Sequence, residues 1–401
     1  TEIASLQKVT IPVTLTPTAE GSIEGKVVIS TDYGTREVTL KAYCGTYSHQ
    51  YAVPTPGALN ITIPESEVLA VTALKLTGKI NQTDIAFLKT STTALKTLDL
   101  SEATLEGDTK TLWDNVFQST TNIETLILPN SITRIGSSVF TGSTSLKQIV
   151  IPEKVEAIGN YTFGNCTAIE NISLPSALRT LGSYAFQGCT SLKEMVIPEY
   201  VSSIEERTFD GCTALEKVVI GNGVKSISDY YTFNGCDNLT TIVIGDGVTK
   251  LESQLQGKTK LANITLGNGF RELHNAFNGC TALEKVTLPD SLRIIGNSTF
   301  SGCTLLTTVN IPDSVKTIGS SAFRDCSSLT SITLNDSLRT IGSYAFYGCS
   351  GLTEMIIPDK VSSIEEHTFY GCTALEKVVI GNGVKSISDY YTFNGCDNLT
   401  T

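Results

Sequence analysis

The chain of 401 residues carries 40 acidic against 29 basic side chains, a formal net charge of -11. That balance argues against a nucleic-acid binder, which needs a basic stripe to neutralise phosphates, and it disfavours docking onto anionic lipid. No apolar run approaches the roughly 20 residues of a membrane-spanning helix, so no direct membrane insertion is expected of this sequence. It opens on Thr1 without a charged-then-apolar leader, so a signal or anchor segment is expected to lie outside it.

Residues 1–55 read as a small β-rich region. Lys8–Thr16, Ser22–Ser30 and Arg36–Tyr43 alternate apolar and polar residues, the pattern of half-buried strands. Asp32, Tyr33 and Gly34 suit a hairpin turn between the last two. Three strands are too few for an immunoglobulin-like sandwich of about seven. The region is therefore either the remainder of a truncated domain of that kind or a small sheet packed on the rest of the chain. Pro54-Thr55-Pro56-Gly57 marks its boundary.

Residues 56–116 read as an N-terminal cap and a first irregular repeat. Leu95-x-x-Leu98-x-Leu100 already has the spacing of the later strands, but the step from Phe87 to Phe117 is longer than the later ones. Terminal repeats are expected to be atypical because they cover the open end of a shared core.

From 117 to 401 one unit recurs, seen plainly in Phe300–Phe323: a Phe, a Cys three residues on, L-x-x-V-x-I-P, then V-x-x-I-G and the next Phe. The step is about 23 residues, the length of a solenoid repeat. It is one longer at Phe209–Phe233 and Phe369–Phe393, and one shorter on either side of Leu255, which stands in for Phe. No such unit can bury its own apolar side chains, so neighbours must cover them. About a dozen cycles are expected, forming one parallel sheet on the concave face. In each, the first, fourth and sixth strand positions (Leu306, Val309, Ile311) point inward and the third and fifth point out.

Ten cysteines, from Cys166 to Cys396, occupy the same place in successive cycles, and no C-x-x-C pair exists. Turns about 5 Å apart could geometrically approach disulfide range, but parallel Cβ vectors oppose it. The ladder reads as buried packing. Cys44 lies outside it. A longer repeat is superimposed: residues 177–241 match 337–401 at an offset of 160, and Gly211–Thr241 is identical to Gly371–Thr401. The last cycle stops soon after Cys396, so a continuation of the natural chain is expected.

The unit F-x-G-C-x-x-L-x-x-I-x-I-P-x-x-V-x-x-I-G-x-x-A-F resembles the BspA-like leucine-rich repeats, related to the Treponema pallidum type, over roughly Phe117 to Thr401. The resemblance implies a leucine-rich-repeat solenoid in a secreted or cell-surface bacterial protein. It also implies a role in adhesion for some relatives, and it brings no catalytic residues with it.

Two groups of side chains are candidates for partner binding. On the concave face, the fifth positions Ile127, Val150, Val196, Val219 and Val243 form a β-branched stripe, of the kind that marks interaction sites; β-branched residues also simply favour strands. Beside them the third positions Glu194, Lys217, Thr241, Asn263 and Lys285 vary in charge and could set specificity, or be an ordinary solvated face. The second group is Tyr230, Tyr231, Tyr390 and Tyr391 in the two SDYYTF stretches, where an extra residue should push at least one ring outward. Packing of one ring over the adjacent turn is the plainer reading.

His49, His274 and His367 are scattered, and no nucleophile elbow, zinc helix or phosphate loop is present. No catalytic group, metal or cofactor is expected. The function expected is binding of a protein partner, such as a host matrix or cell-surface protein. A structural spacer is the alternative. A glycan-binding module ranks lower, because the exposed strand positions offer almost no aromatic rings.

Overall fold

A computed structural model describes residues 21–31, 34–44 and 47–400. The stretch Lys8–Thr16, the turn residues Asp32 and Tyr33, and Thr401 lie outside the described residues. Strands β1 (Gly21–Thr31) and β2 (Gly34–Cys44) pair antiparallel along their whole length, Val27 opposite Val38.

β3 (His49–Val53) begins the solenoid. It pairs in parallel with β4 (Ala73–Ile80), and β4 with β5 (Thr97–Leu105). Tyr47 Oη donates to Asp99 Oδ2 at 2.6 Å, tying the entry of the solenoid to β5. Two single-turn helices, α1 (Leu59–Thr62) and α2 (Glu65–Val68), and the longer α3 (Gln82–Ser91) link these strands. Asn81 and Asp84 form a reciprocal cap at the start of α3. Asp84 is buried, and its carboxylate also accepts the Gly57 and Leu59 backbone N–H groups, at 2.8 and 2.9 Å. With the Asn81 N–H, one carboxylate serves three backbone donors and joins the starts of two helices.

Beyond β5 each turn supplies up to two short strands. The L-x-x-I-x-I segment gives three or four residues, as in Glu194–Ile197, Lys217–Ile220, Thr241–Ile244 and Asn263–Leu266, which pair in parallel and in register. The V-x-x-I-G segment gives two residues, as in Lys250–Leu251, Glu272–Leu273, Ile294–Ile295, Thr317–Ile318 and Thr340–Ile341. The result is a parallel-strand solenoid of about 15 turns, more than the dozen expected, because residues 49–105 add strands to the same sheet.

The longer ladder is not continuous. It runs from β3 to Gln148–Val150, and resumes at Glu194–Ile197, Thr308–Asn310 and Glu354–Ile357. At Asn171 and Lys285 a single bridge, to Glu194 and Thr308 respectively, joins the intervening turn to the segment that follows.

The core is built of columns. Anchor phenylalanines from Phe117 to Phe369 are fully buried and stack on their neighbours at 5.2 to 5.9 Å between ring centres. Burying each ring contributes about 1.5–3 kcal/mol. The column is interrupted at Leu255, in a short 3-10 turn (Ser253–Leu255).

The ten ladder cysteines are free thiols, and each Sγ donates to a backbone carbonyl of the preceding turn, as Cys189 does to Phe163 O at 3.0 Å. In the turn before the ladder begins Ser143 makes the same bond, to Phe117 O at 2.8 Å. The column therefore satisfies a buried acceptor once per turn. Burial pushes eight of these thiols up, to about 12 for Cys166, Cys236 and Cys280. Turns approach closely where the second strand ends. A Cβ on Gly159 would lie 2.7 Å from backbone atoms of Gly136 and Ser137, so no larger residue fits there.

Candidate functional site

On the longer ladder the alternation places the third and fifth positions on the outer face, as the period of two requires. Val196, Val219, Val243 and Thr265 are register partners in one row, and Ile127 pairs with Val150 in another. Val196 is 56% exposed and Val150 40%; Ile127, Val219 and Val243 are half-buried by their neighbours. The break at Asn171 separates the rows, so the stripe is two patches. A third patch, Ile356 beside Val379, repeats the Val196–Val219 pair in the second copy of the duplicated block.

The third positions largely satisfy each other. Lys217 Nζ lies 3.6 Å from Glu194, and Asn263 donates to Thr241 Oγ1 at 3.5 Å. Lys285 is exposed and sits at the single bridge. Further cross-turn pairs, Lys193 with Glu170 at 2.8 Å and Lys377 with Glu354 at 2.7 Å, follow the same rule. Each such exposed pair contributes about 0–1 kcal/mol.

All four tyrosines of the SDYYTF stretches are exposed: Tyr230 and Tyr231 by 50% and 49%, Tyr390 and Tyr391 by 64% and 59%. One ring of each pair also lies against the adjacent turn, Tyr231 at 4.7 Å from the Arg207 guanidinium and Tyr391 at 5.5 Å from His367. Tyr230 and Tyr231 meet edge to face at 4.9 Å.

These rings belong to a larger set that the strand pattern does not show. The residue two before each anchor Phe has φ between 50° and 60° in turn after turn: Ser138, Tyr161, Tyr184, Arg207, Tyr231, Asn275, Ser298, Ser321, Tyr344, His367, Tyr391. A left-handed residue costs about 1–2 kcal/mol unless it is Gly, or to a lesser extent Asn or Asp. Tyr and Arg gain nothing from that backbone, so their choice answers to the surface. The signal in the sequence was a tyrosine where other turns carry Ser or Asn.

Tyr161 and Tyr184 stack at 4.3 Å. Arg207 then spreads over Tyr184, Tyr230 and Tyr231, its guanidinium 5.7, 5.4 and 4.7 Å from the three ring centres. Its Nη1 also pairs with Asp210 at 3.4 Å. Asp210 in turn accepts from Gln187 at 3.4 Å and from Asn234 at 2.8 Å, so this surface is closed on itself. Around Tyr344 the arrangement is open: a groove of about 440 Å³ is lined by Arg324, Tyr344, Tyr347, His367, Tyr370 and Tyr391. A second depression of about 360 Å³ lies beyond Tyr231, against Ser253, Gln254 and Lys258.

Among the described residues no group of three or more His, Cys, Asp or Glu is placed to hold a metal ion, and no helix is long and apolar enough to cross a membrane.

Parallel in-register turns, an inward Leu and Ile pattern and an exposed strand face define a leucine-rich-repeat solenoid. The chain belongs to the BspA type leucine rich repeat region family, whose model matches residues 86–170, 110–236, 156–275, 211–303 and 273–400. Repeats of this class are commonly protein-interaction modules. Among solved structures, a leucine-rich repeat protein from Bacteroides ovatus is 27% identical, with 73% of this chain and 82% of that one covered and a TM-score of 0.55. The leucine rich repeat protein of T. pallidum is 25% identical over 43% of this chain and 71% of that one, with a TM-score of 0.32. A protein from Faecalibacterium prausnitzii, described as a leucine rich cell surface protein, is 24% identical over 73% of this chain and 82% of that one, at a TM-score of 0.35. No curated protein matches this chain.

Proposed function

We propose that this chain is a non-enzymatic, secreted or cell-surface bacterial protein that holds a protein partner against the outer face of its longer strand ladder. A host matrix or cell-surface protein is the partner that the family resemblance suggests. The observation that carries the reading is the row Val196–Val219–Val243, aligned residue by residue on an ordered sheet, with Val196 more than half exposed. Exposed apolar rows with a polar border are the ordinary anatomy of interaction surfaces. Glu194, Lys217, Thr241, Asn263 and Lys285 supply that border, and the pairing among the first four leaves the valines as the unsatisfied element of the face.

The test is binding of the purified chain to immobilised matrix proteins, beside a variant carrying Val196→Lys, Val219→Lys and Val243→Lys. Saturable binding to one protein, weakened at least tenfold in the variant, is expected. Binding untouched by the three lysines would move the contact off the strand face. Absence of binding across the panel would favour a spacer, the reading that the block duplication also suits.

A further inference from the structure

The two copies of the duplicated block differ at eleven paired positions, all of them before Gly211 in the first copy. Many differences are mild, such as Val196 against Ile356 or Leu181 against Ile341. Of those that change the chemistry, three cluster in space: Gln187, Arg207 and Asp210 in the first copy are Tyr347, His367 and Tyr370 in the second. In the first copy these residues close the surface, since Arg207 covers three tyrosine rings and Asp210 collects three hydrogen-bond donors. In the second copy the guanidinium and carboxylate contacts are gone, and only the contacts of His367 with Tyr344 and Tyr391 keep their place.

What replaces them is a pair of short aromatic stacks. Tyr344 and His367 lie parallel at 4.7 Å, and Tyr347 and Tyr370 lie parallel at 4.9 Å. The two stacks lean together, with Tyr344 and Tyr347 tilted by 38° and His367 and Tyr370 by 41°. Tyr391 continues the first stack at 5.5 Å, and Arg324 lies over Tyr347 at 4.8 Å. Nδ1 of His367 is buried without a hydrogen-bond partner, so stacking, and no polar tether at that atom, orients the ring. The exposure of Tyr391 does not depend on its being near the end of the described chain, because Tyr231, with further turns beyond it, is similarly exposed.

We propose that this groove is a carbohydrate site for a neutral glycan, separate from the strand face. Tyr391, more than half exposed, offers a flat apolar face to the C–H groups of a pyranose, the half-buried rings stacked beside it offer their edges, and phenol hydroxyls offer donors and acceptors to sugar hydroxyls. The lining holds no aliphatic side chain of the kind that fills a peptide anchor pocket, and no carboxylate. The volume lies within the range of small-ligand sites. Neutral sugar fits better than acidic sugar because the one lining guanidinium, Arg324, is already paired with Asp325 at 3.2 Å and the chain carries a net charge of -11. Successive rings lie one turn apart along the solenoid, on the order of 5 Å, which is close to the length of one sugar residue in an extended glycan.

The test sets the whole chain against cellotetraose, mannotetraose and N-acetyllactosamine, with 3′-sialyllactose as the acidic arm, by saturation-transfer NMR and calorimetry. The control variant carries Tyr347→Gln, His367→Arg and Tyr370→Asp, which rebuilds the closed surface that the chain already folds in the first copy of the block. Saturable binding of at least one neutral oligosaccharide, weakened tenfold or more in that variant and unchanged by Val196→Lys, is expected. A second variant, Tyr344→Ser, uses the residue that other turns carry there and should weaken binding several-fold. Binding of the sialylated probe alone, no binding of any neutral probe, or neutral binding kept by the closed variant would each overturn the proposal.

Discussion

Gly211–Thr241 and Gly371–Thr401 are identical in sequence, yet their side chains live in different surroundings. Ile220 and Ile227 are 2% and 6% exposed, while their counterparts Ile380 and Ile387 are 41% and 45% exposed. The difference is the turn stacked above them. In the first stretch Thr241–Ile244 and Lys250–Leu251 follow and cover the isoleucines; in the second no described turn does. A residue here is made core by its neighbour one repeat further on, and the hydrophobic pattern only states which side chains are available for covering.

The largest way to press on that comparison is alkaline pH. Nine ladder thiols, Cys166 through Cys372, are held up in the folded chain, eight of them chiefly by burial and Cys372 first by its hydrogen bond with Cys396 and then by burial. Their folded values lie above the unfolded one, so their contribution to stability is complete below the ordinary thiol value of 9.0 and is lost as pH rises beyond it. Each thiol that ionises only on unfolding costs about 1.4 kcal/mol per pH unit in that window. Urea midpoints should fall steeply between pH 9 and 11, and these nine native thiols should resist alkylation at pH 8. A flat profile would mean that the column is open to water.

Next in size is the phenylalanine column. Phe209 is stacked on both sides, by Phe186 at 5.9 Å and Phe233 at 5.6 Å, whereas Phe393 is half-buried and stacks only on Phe369. Phe209→Ala should cost about 3–5 kcal/mol, and Phe393→Ala less than half of that. Equal losses in urea unfolding would break the rule that the neighbour supplies the burial.

Smaller, and opposite in sign, is the effect of adding a turn. In residues 1–401 expressed by themselves, appending a copy of residues 242–264 after Thr401 would restore over Ile380 and Ile387 the cover that Ile220 and Ile227 have. A gain of about 1–3 kcal/mol is expected from the apolar area removed from water, read as a higher thermal midpoint. No gain would show that the appended strand fails to dock.

The same locality decides what could be read in the sequence. The anchor Phe, the ladder Cys and the inward Leu and Ile repeat at a fixed step and act one turn at a time, so they were legible as columns. Strands β3 to β5 were harder to place in the same sheet. The step from Phe87 to Phe117 is irregular, and what joins these strands is backbone pairing, which carries no side-chain signature. The break at Asn171 was equally silent, because the pattern Ile169-x-x-Ile172-x-Leu174 is intact there. The aromatic groove was hidden for another reason. Its members are spread from Arg324 to Tyr391, several of them at turn positions that read as Ser or Asn elsewhere, and only stacking the turns brings them together.

The pairing of very short parallel strands has a mechanical corollary. Beyond β5 each turn is held to the next by strands of two to four residues and a few backbone bonds in the bend around the anchor Phe, such as Phe163 N–H to Ala185 O at 2.8 Å, with no covalent cross-link among the ladder cysteines. A pull along the long axis loads those few hydrogen bonds together and detaches one turn at a time. Every turn released frees about 23 residues, or roughly 75 Å of extended chain. Tethered at one end and held at the other, such a coil would lengthen in even increments under shear and wind back when the load drops, a tether that yields before its grip is torn away.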